Sequence, residues 1–162
     1  MTAPQTVEHA TLASRLVGGW ILDRFLDEQA DRPVSEPFGA TPSGLLIYTM
    51  DGLVSAQLMR PGRASFRSPD WLHATPEEYR ESASGYIAYC GTYEVDEVNR
   101  TVTHRPFVAL LPNLLGRPQF RSVELRDDRL VLRTAGRAVE GGVEVTSRLE
   151  WLRLAPNRPL TF

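Results

Sequence analysis

Three residues of this chain have the types and spacing to handle a proton or a carbonyl: Tyr93, His104 and Arg121. Tyr93 and His104 flank Glu97-Val98-Asn99-Arg100, a four-residue turn signal between two alternating runs. That turn sets Asp96 opposite Thr101, Val95 opposite Val102 and Tyr93 opposite His104. Period-two alternation then gathers Tyr89, Gly91, Tyr93, Val95, Val102, His104, Pro106 and Val108 on one face. The other face carries Thr92, Glu94, Thr103 and Arg105, which suits water. An inward imidazole beside a phenol can pass a proton near neutral pH. The same pair also reads as a core histidine whose ring bonds the tyrosine hydroxyl. Arg121 shares a face with Val123 and Leu125, so its guanidinium needs an internal carboxylate, a ligand oxygen or a reach to solvent at the barrel mouth.

Other chemistries find no support. His9, His73 and His104 are far apart and lack metal-ligand spacing, so neither a metal nor a cofactor is expected. All 18 basic residues are arginine, which removes Schiff-base chemistry, a pyridoxal-phosphate anchor and a phosphate-loop lysine. The chain has no nucleophile elbow and no dinucleotide fingerprint. Cys90, the single cysteine, alternates onto the face opposite His104 and reads as an inert thiol.

The elements that must position these residues are short strands. A chain of 162 residues, 42% hydrophobic and 23% charged, is one domain over residues 1–162 with a real core. A net charge of −2 argues against nucleic acid and anionic membrane as partners. Neither an export signal nor a membrane-length apolar run is found, so a cytoplasmic protein is expected. Strand patterns cover residues 20–26, 44–50, 53–59, 86–96, 101–110, 119–126, 130–134 and 143–152. Helices are expected over residues 6–16 and, from the Thr75-Pro76-Glu77-Glu78 capping box, over 75–83.

Connection lengths carry more information than any single strand. Tight turns alternate with long Pro- and Gly-rich connections at 27–43, 60–85, 111–118 and 135–142. In an up-and-down meander, all short turns then fall at one end and all long loops at the other. The fold this predicts is all-β: an eight-stranded antiparallel up-and-down barrel with one plain end and one elaborated mouth. An open sandwich is the alternative.

The Asp51-Gly52 turn pairs Leu46 with Gln57 and Tyr48 with Ser55. Tyr48 and Gln57 would then line a ligand cavity with Tyr89 and Val108, while Phe38, Trp71 and Leu114 supply an apolar lid from the loops. The opposite face of that hairpin would hold Leu45, Ile47, Val54, Ala56 and Leu58, an apolar patch that asks for a homodimer partner.

Several of these segments are similar to known sequences. Leu16-Val17-Gly18-Gly19-Trp20 resembles the Gly-x-Trp signature of lipocalins. Residues 44–52 and 86–95, with Pro112-Asn113 and Gln119-Phe120-Arg121, resemble the bacterial and fungal lipocalin-like domain family, over about residues 16–152. The resemblance implies an eight-stranded barrel that accompanies secondary-metabolite pathways such as polyketide assembly, with some related small barrels acting as cofactor-free cyclases or isomerases. The family histidine is usually followed by small or polar residues, whereas here the run is His104-Arg105-Pro106-Phe107. The resemblance also implies that Trp20, beside Gly19, plugs the closed end and stacks on Arg153, a structural contact of about 1 kcal/mol.

Two functions from different classes follow. In one, the barrel binds a small apolar metabolite and catalyses a cofactor-free cyclisation or isomerisation, with Tyr93, His104 and Arg121 polarising a carbonyl or shuttling a proton. In the other, it binds or carries that metabolite without turnover. A third reading is a haem-binding barrel, with an inward His104 as iron ligand.

Overall fold

The computed structural model of the chain describes residues 10–134, 137–138 and 144–155. Eight antiparallel strands close a barrel in the order β1 (Gly18–Gln29), β3 (Ser43–Tyr48), β4 (Leu53–Met59), β5 (Tyr86–Asp96), β6 (Thr101–Ala109), β7 (Gln119–Arg126), β8 (Arg129–Thr134) and β10 (Glu144–Arg153), and β1–β10 pairing completes the ring. Two short strands sit outside that count. β2 (Arg32–Ser35) hairpins back on the far end of β1, and β9 (Arg137–Ala138) pairs with the start of β10. Closure removes the exposed edges that an open sheet would leave.

The turns sort by end as their lengths require. Residues 49–52, 97–100 and 127–128 close one end, while the long connections 30–42, 60–85 and 110–118 ring the other. The helix α1 (Leu12–Leu16) plugs the closed end with Leu12 and Leu16 buried. It is shorter than the helix expected over 6–16, and residues 6–9 of that expectation lie outside the described residues. Its first free N–H groups are satisfied from afar, because both Glu97 carboxylate oxygens accept at 2.8 Å, from Leu12 N and Ala13 N. Gly18 turns the corner into β1 at φ +124°, a conformation open to glycine. Trp20 is fully buried next to it, donates its indole N–H to the Leu16 carbonyl at 2.9 Å and lies under the Arg153 guanidinium at 4.1 Å. Arg153 in turn donates to the carbonyls of Val17 and Arg15. The second helix, α2 (Pro76–Ser84), opens with the Thr75–Glu78 capping box.

Two registers decide what faces inward. The β5–β6 hairpin sets Tyr93 opposite His104 and Val95 opposite Val102, as the four-residue turn requires. Beyond that pairing a bulge intervenes, so that Gly91 pairs Pro106 but Cys90 pairs Val108. A Cβ on Gly91 would lie 2.0 Å from the Arg105 carbonyl oxygen, so the strands cross too closely there for any other residue. The extra residue reverses the alternation. Val108, expected inward, is 57% exposed, and its removal from the cavity is a correction.

The β3–β4 hairpin departs further. Its loop is the three-residue Met50-Asp51-Gly52, with Gly52 at φ +89° and Thr49 N donating to the Leu53 carbonyl at 2.9 Å. A three-residue loop ending on a left-handed glycine shifts the pairing by one relative to a two-residue turn. Leu46 therefore pairs Ala56 and Tyr48 pairs Val54. One slip flips the whole β4 face. Val54, Ala56 and Leu58 point into the barrel and are buried, while Gln57 is exposed outside, where it accepts from the Tyr86 hydroxyl at 3.1 Å. Gln57 is thus corrected out of the cavity. The continuous outer apolar patch that asked for a homodimer does not form, since three of its five residues are core.

Candidate functional site

The lower half of the barrel is filled by Leu16, Trp20, Val54, Val102, Val123, Leu125 and Leu130. Above it lies a cavity of about 480 Å³, within the size range of small-molecule sites. Most of its wall is apolar, from Phe25 on β1, Leu46 on β3, Ala56 and Leu58 on β4, Ile87 on β5, Leu132 on β8 and Leu149 and Trp151 on β10. Polar atoms come from His104, Tyr89, Arg121 and Gln119 on one wall and from Thr134 and Ser147 on another.

His104 is the centre of the first group. It is 1% exposed, and both ring nitrogens are engaged: Nε2 with the Tyr48 hydroxyl at 2.7 Å and Nδ1 with the Tyr89 hydroxyl at 2.8 Å. Burial, and after it the Arg121 charge, hold the imidazole down to about 3 from its usual 6.5, so it is neutral at physiological pH. Burial pushes the Tyr48 phenol well up and the Tyr89 phenol up, the latter against the opposing Arg121 charge. Arg121 lies beside Tyr89 as a positive charge, and its guanidinium bonds the Phe120 carbonyl at 2.9 Å. Among the described residues it has no carboxylate partner.

The second polar group involves residues that the sequence reading passed over. Ser147 donates its hydroxyl to the buried Asp27 at 2.6 Å and its backbone N–H to the Thr134 hydroxyl. Alternation along Val145, Ser147, Leu149 and Trp151 was the signal that could have found it. The Trp151 indole N–H is buried with no hydrogen-bond partner among the described residues.

Access follows from a gap in the wall. β6 and β7 pair only from Thr101 to His104, against Ser122 to Gln119. Beyond His104 they part, and Leu111, Leu114, Pro118 and Phe120 from the 110–120 segment line the cavity there.

The structure therefore brings Tyr89, His104 and Arg121 together at the cavity wall, with Tyr48 behind His104 and Leu114 at the opening. Tyr93 belongs elsewhere. Its hydroxyl donates to the Thr49 carbonyl at 2.9 Å at the closed end, and its ring sits edge-on to Tyr48 with centroids 4.8 Å apart, so it does not line the cavity. Phe38 is buried edge-on against Phe25, a core contact behind the wall rather than a lid. Trp71 is 66% exposed on the 60–85 loop, where it lines a separate surface groove with Phe66 and Arg63. It does not line the cavity.

No described helix is long and apolar enough to cross a membrane. A 4'-hydroxy-3'-methoxypropiophenone carrier protein of Aspergillus oryzae is 34% identical over 107 residues, covering 62% of this chain and 96% of that protein. No solved structure matches the chain at a significant level. The sequence pattern of the lipocalin-like domain family matches residues 17–154, the whole barrel from β1 to β10, and the chain belongs to that family.

Proposed function

We propose that this protein binds and carries a small, mostly apolar aromatic molecule that presents one or two oxygen atoms to the barrel wall. The observation that supports this most is the cavity itself: about 480 Å³, largely apolar, with its polar atoms confined to two small groups. Such a site excludes water from most of a guest and orients it through few hydrogen bonds. The relative named as a carrier of a hydroxylated, methoxylated propiophenone supports an aryl ketone as the first ligand to test. Binding of that ketone to the purified protein, followed by calorimetry, is expected to be one-to-one with the ketone recovered unchanged. Absence of binding at millimolar ketone would sink the reading for this ligand class.

The competing reading, a cofactor-free cyclase or isomerase, draws on the closeness of His104, Tyr89 and Arg121 in an apolar cavity. Against it, a histidine held at about 3 with both nitrogens occupied is a poor base at neutral pH, and Tyr93 points to the closed end. Conversion of a candidate pathway intermediate faster with protein than without would restore it. Iron ligation by His104 would first have to displace Tyr48 or Tyr89, which disfavours the haem reading.

A further inference from the structure

The hydrogen atoms around His104 can be assigned by counting. Tyr48 is fully buried, and among the described residues its hydroxyl has one hydrogen-bond partner, His104 Nε2. If Nε2 carried the proton, the Tyr48 hydroxyl would have to accept it, and its own hydrogen would be stranded unpaired in the core. Tyr48 therefore donates to Nε2. A neutral imidazole then carries its proton on Nδ1 and donates it to the Tyr89 oxygen at 2.8 Å. The Arg121 guanidinium adds its positive charge beside that same oxygen. With its oxygen accepting from His104, Tyr89 has its own O–H to offer at the cavity wall, where it has no hydrogen-bond acceptor among the described residues.

The chain of bonds is thus polarised in one direction: from Tyr48 through His104 to Tyr89 and out to the guest. Arg121 adds a positive charge with no carboxylate partner among the described residues. The Tyr89 O–H and the cationic Arg121 guanidinium converge on one point of a mostly apolar wall, with the neutral Gln119 amide beside them and no carboxylate among the lining residues. Such a point favours an oxygen that carries negative charge.

We propose that the Tyr89–Arg121 corner binds its guest through a conjugated oxyanion, as an acyl phenol gives when it loses its proton. The inference rests on the binding reading above and names the form of the guest. A phenol conjugated through its ring to a ketone spreads the negative charge onto the carbonyl, so the anion is within reach of neutral pH. The phenol O–H bond breaks on binding, the electron pair stays on oxygen, and the proton leaves to solvent, because neutral His104 is too weak a base to hold it. Tyr89 then donates to the phenolate oxygen while Arg121 balances its charge.

The test uses a para-hydroxypropiophenone and its methyl ether, at a pH where the free phenol is mostly un-ionised. The expected result is that the bound phenol shows the longer-wavelength absorption of its phenolate. Calorimetry in buffers of different ionisation enthalpy should then register release of nearly one proton per ligand. The methyl ether, which cannot ionise, should bind at least tenfold more weakly. Arg121→Met should abolish the phenolate band and narrow the tenfold preference to about twofold, with thermal melting reported alongside; the wild-type spectrum stands as the test if that variant does not fold. Equal binding of both compounds, with the bound phenol absorbing like the free neutral form, would overturn the anion while leaving the carrier intact. Binding of neither would remove the binding reading and this inference with it.

Discussion

Two tryptophans face the barrel interior from adjacent strands, Trp20 at the closed end and Trp151 two positions further up, and they are provided for differently. Trp20 at the closed end has its indole N–H bonded to Leu16 and its ring stacked under Arg153, which itself bonds two carbonyls. Trp151 on the cavity wall is just as deeply buried, at 2% exposed, but its N–H has no partner among the described residues. The contrast extends to the neighbours. Around Trp20, even the free amides of a five-residue helix are capped by Glu97. Around the cavity that Trp151 lines, Arg121 has no carboxylate partner among the described residues and Tyr89 offers a hydrogen to the cavity. A site that satisfied all its polar groups internally would have none to give a guest. The closed end is built for stability, and the upper half holds its hydrogen-bonding capacity in reserve.

The sharpest way to break that contrast is at Trp20. Trp20→Ala should cost about 3–5 kcal/mol, since it opens a large cavity and removes the ring under the Arg153 guanidinium. Chemical denaturation measures this. A loss under 1 kcal/mol would mean that the closed end is not where stability is concentrated.

A second test uses pH. His104 is held at about 3 in the fold against 6.5 for a free histidine, so between those values the unfolded chain binds the proton and the folded chain does not. Stability from this residue is complete above about pH 6.5 and drains as pH falls towards 3, at up to about 1.4 kcal/mol per unit. Carboxylates contribute in the same direction, so the comparison is with His104→Gln, which keeps a donor and an acceptor. The wild-type curve should fall more steeply than the variant's between pH 6 and 3.5. Parallel curves would show that the ring takes up its proton inside the fold without cost.

At the closed end, Glu97→Ala removes the two bonds that cap α1. A cost of about 1–2 kcal/mol is expected, by analogy with side-chain caps. Amide exchange should speed up at Leu12 and Ala13, while ligand affinity stays unchanged. Affinity that fell in step with stability would show that the two ends are coupled.

What the sequence made legible follows the same physics. The β5–β6 register could be read because its two faces differ in kind: Thr92, Glu94 and Arg105 outside against Tyr89, Val102 and His104 inside. The separation of short turns from long loops needed only their lengths. The β3–β4 register could not be read by that route. Leu45 and Ile47 are apolar and face outward, so alternation named no inner face there. The register then rested on whether Asp51-Gly52 forms a two- or a three-residue loop, which φ at Gly52 decides and residue type does not. The bulge beyond Gly91 is the same kind of event, a one-residue backbone choice with a whole face as its consequence. The pairing of His104 with Tyr48 was out of reach because it joins residues on strands that are not neighbours in the barrel.

The smallest expected effect tests that register directly and closes the comparison at the cavity wall. Gln57 and Ala56 are adjacent on β4, and the one-residue slip puts Ala56 on the cavity and Gln57 in solvent. Gln57→Ala removes a hydrogen bond from the Tyr86 hydroxyl on the outside, where both groups can turn to water, so stability should move by less than about 0.5 kcal/mol. Ligand affinity should stay within twofold. Ala56→Leu adds three carbons to the cavity wall and should weaken binding at least tenfold, because the guest loses the space those carbons occupy. Reversal of that pattern, with Gln57→Ala weakening binding and Ala56→Leu leaving it intact, would restore the two-residue turn and return Gln57 to the site. It would also bring back the outer apolar face formed by Val54, Ala56 and Leu58, and with it the case for a second copy of the chain packed against this hairpin.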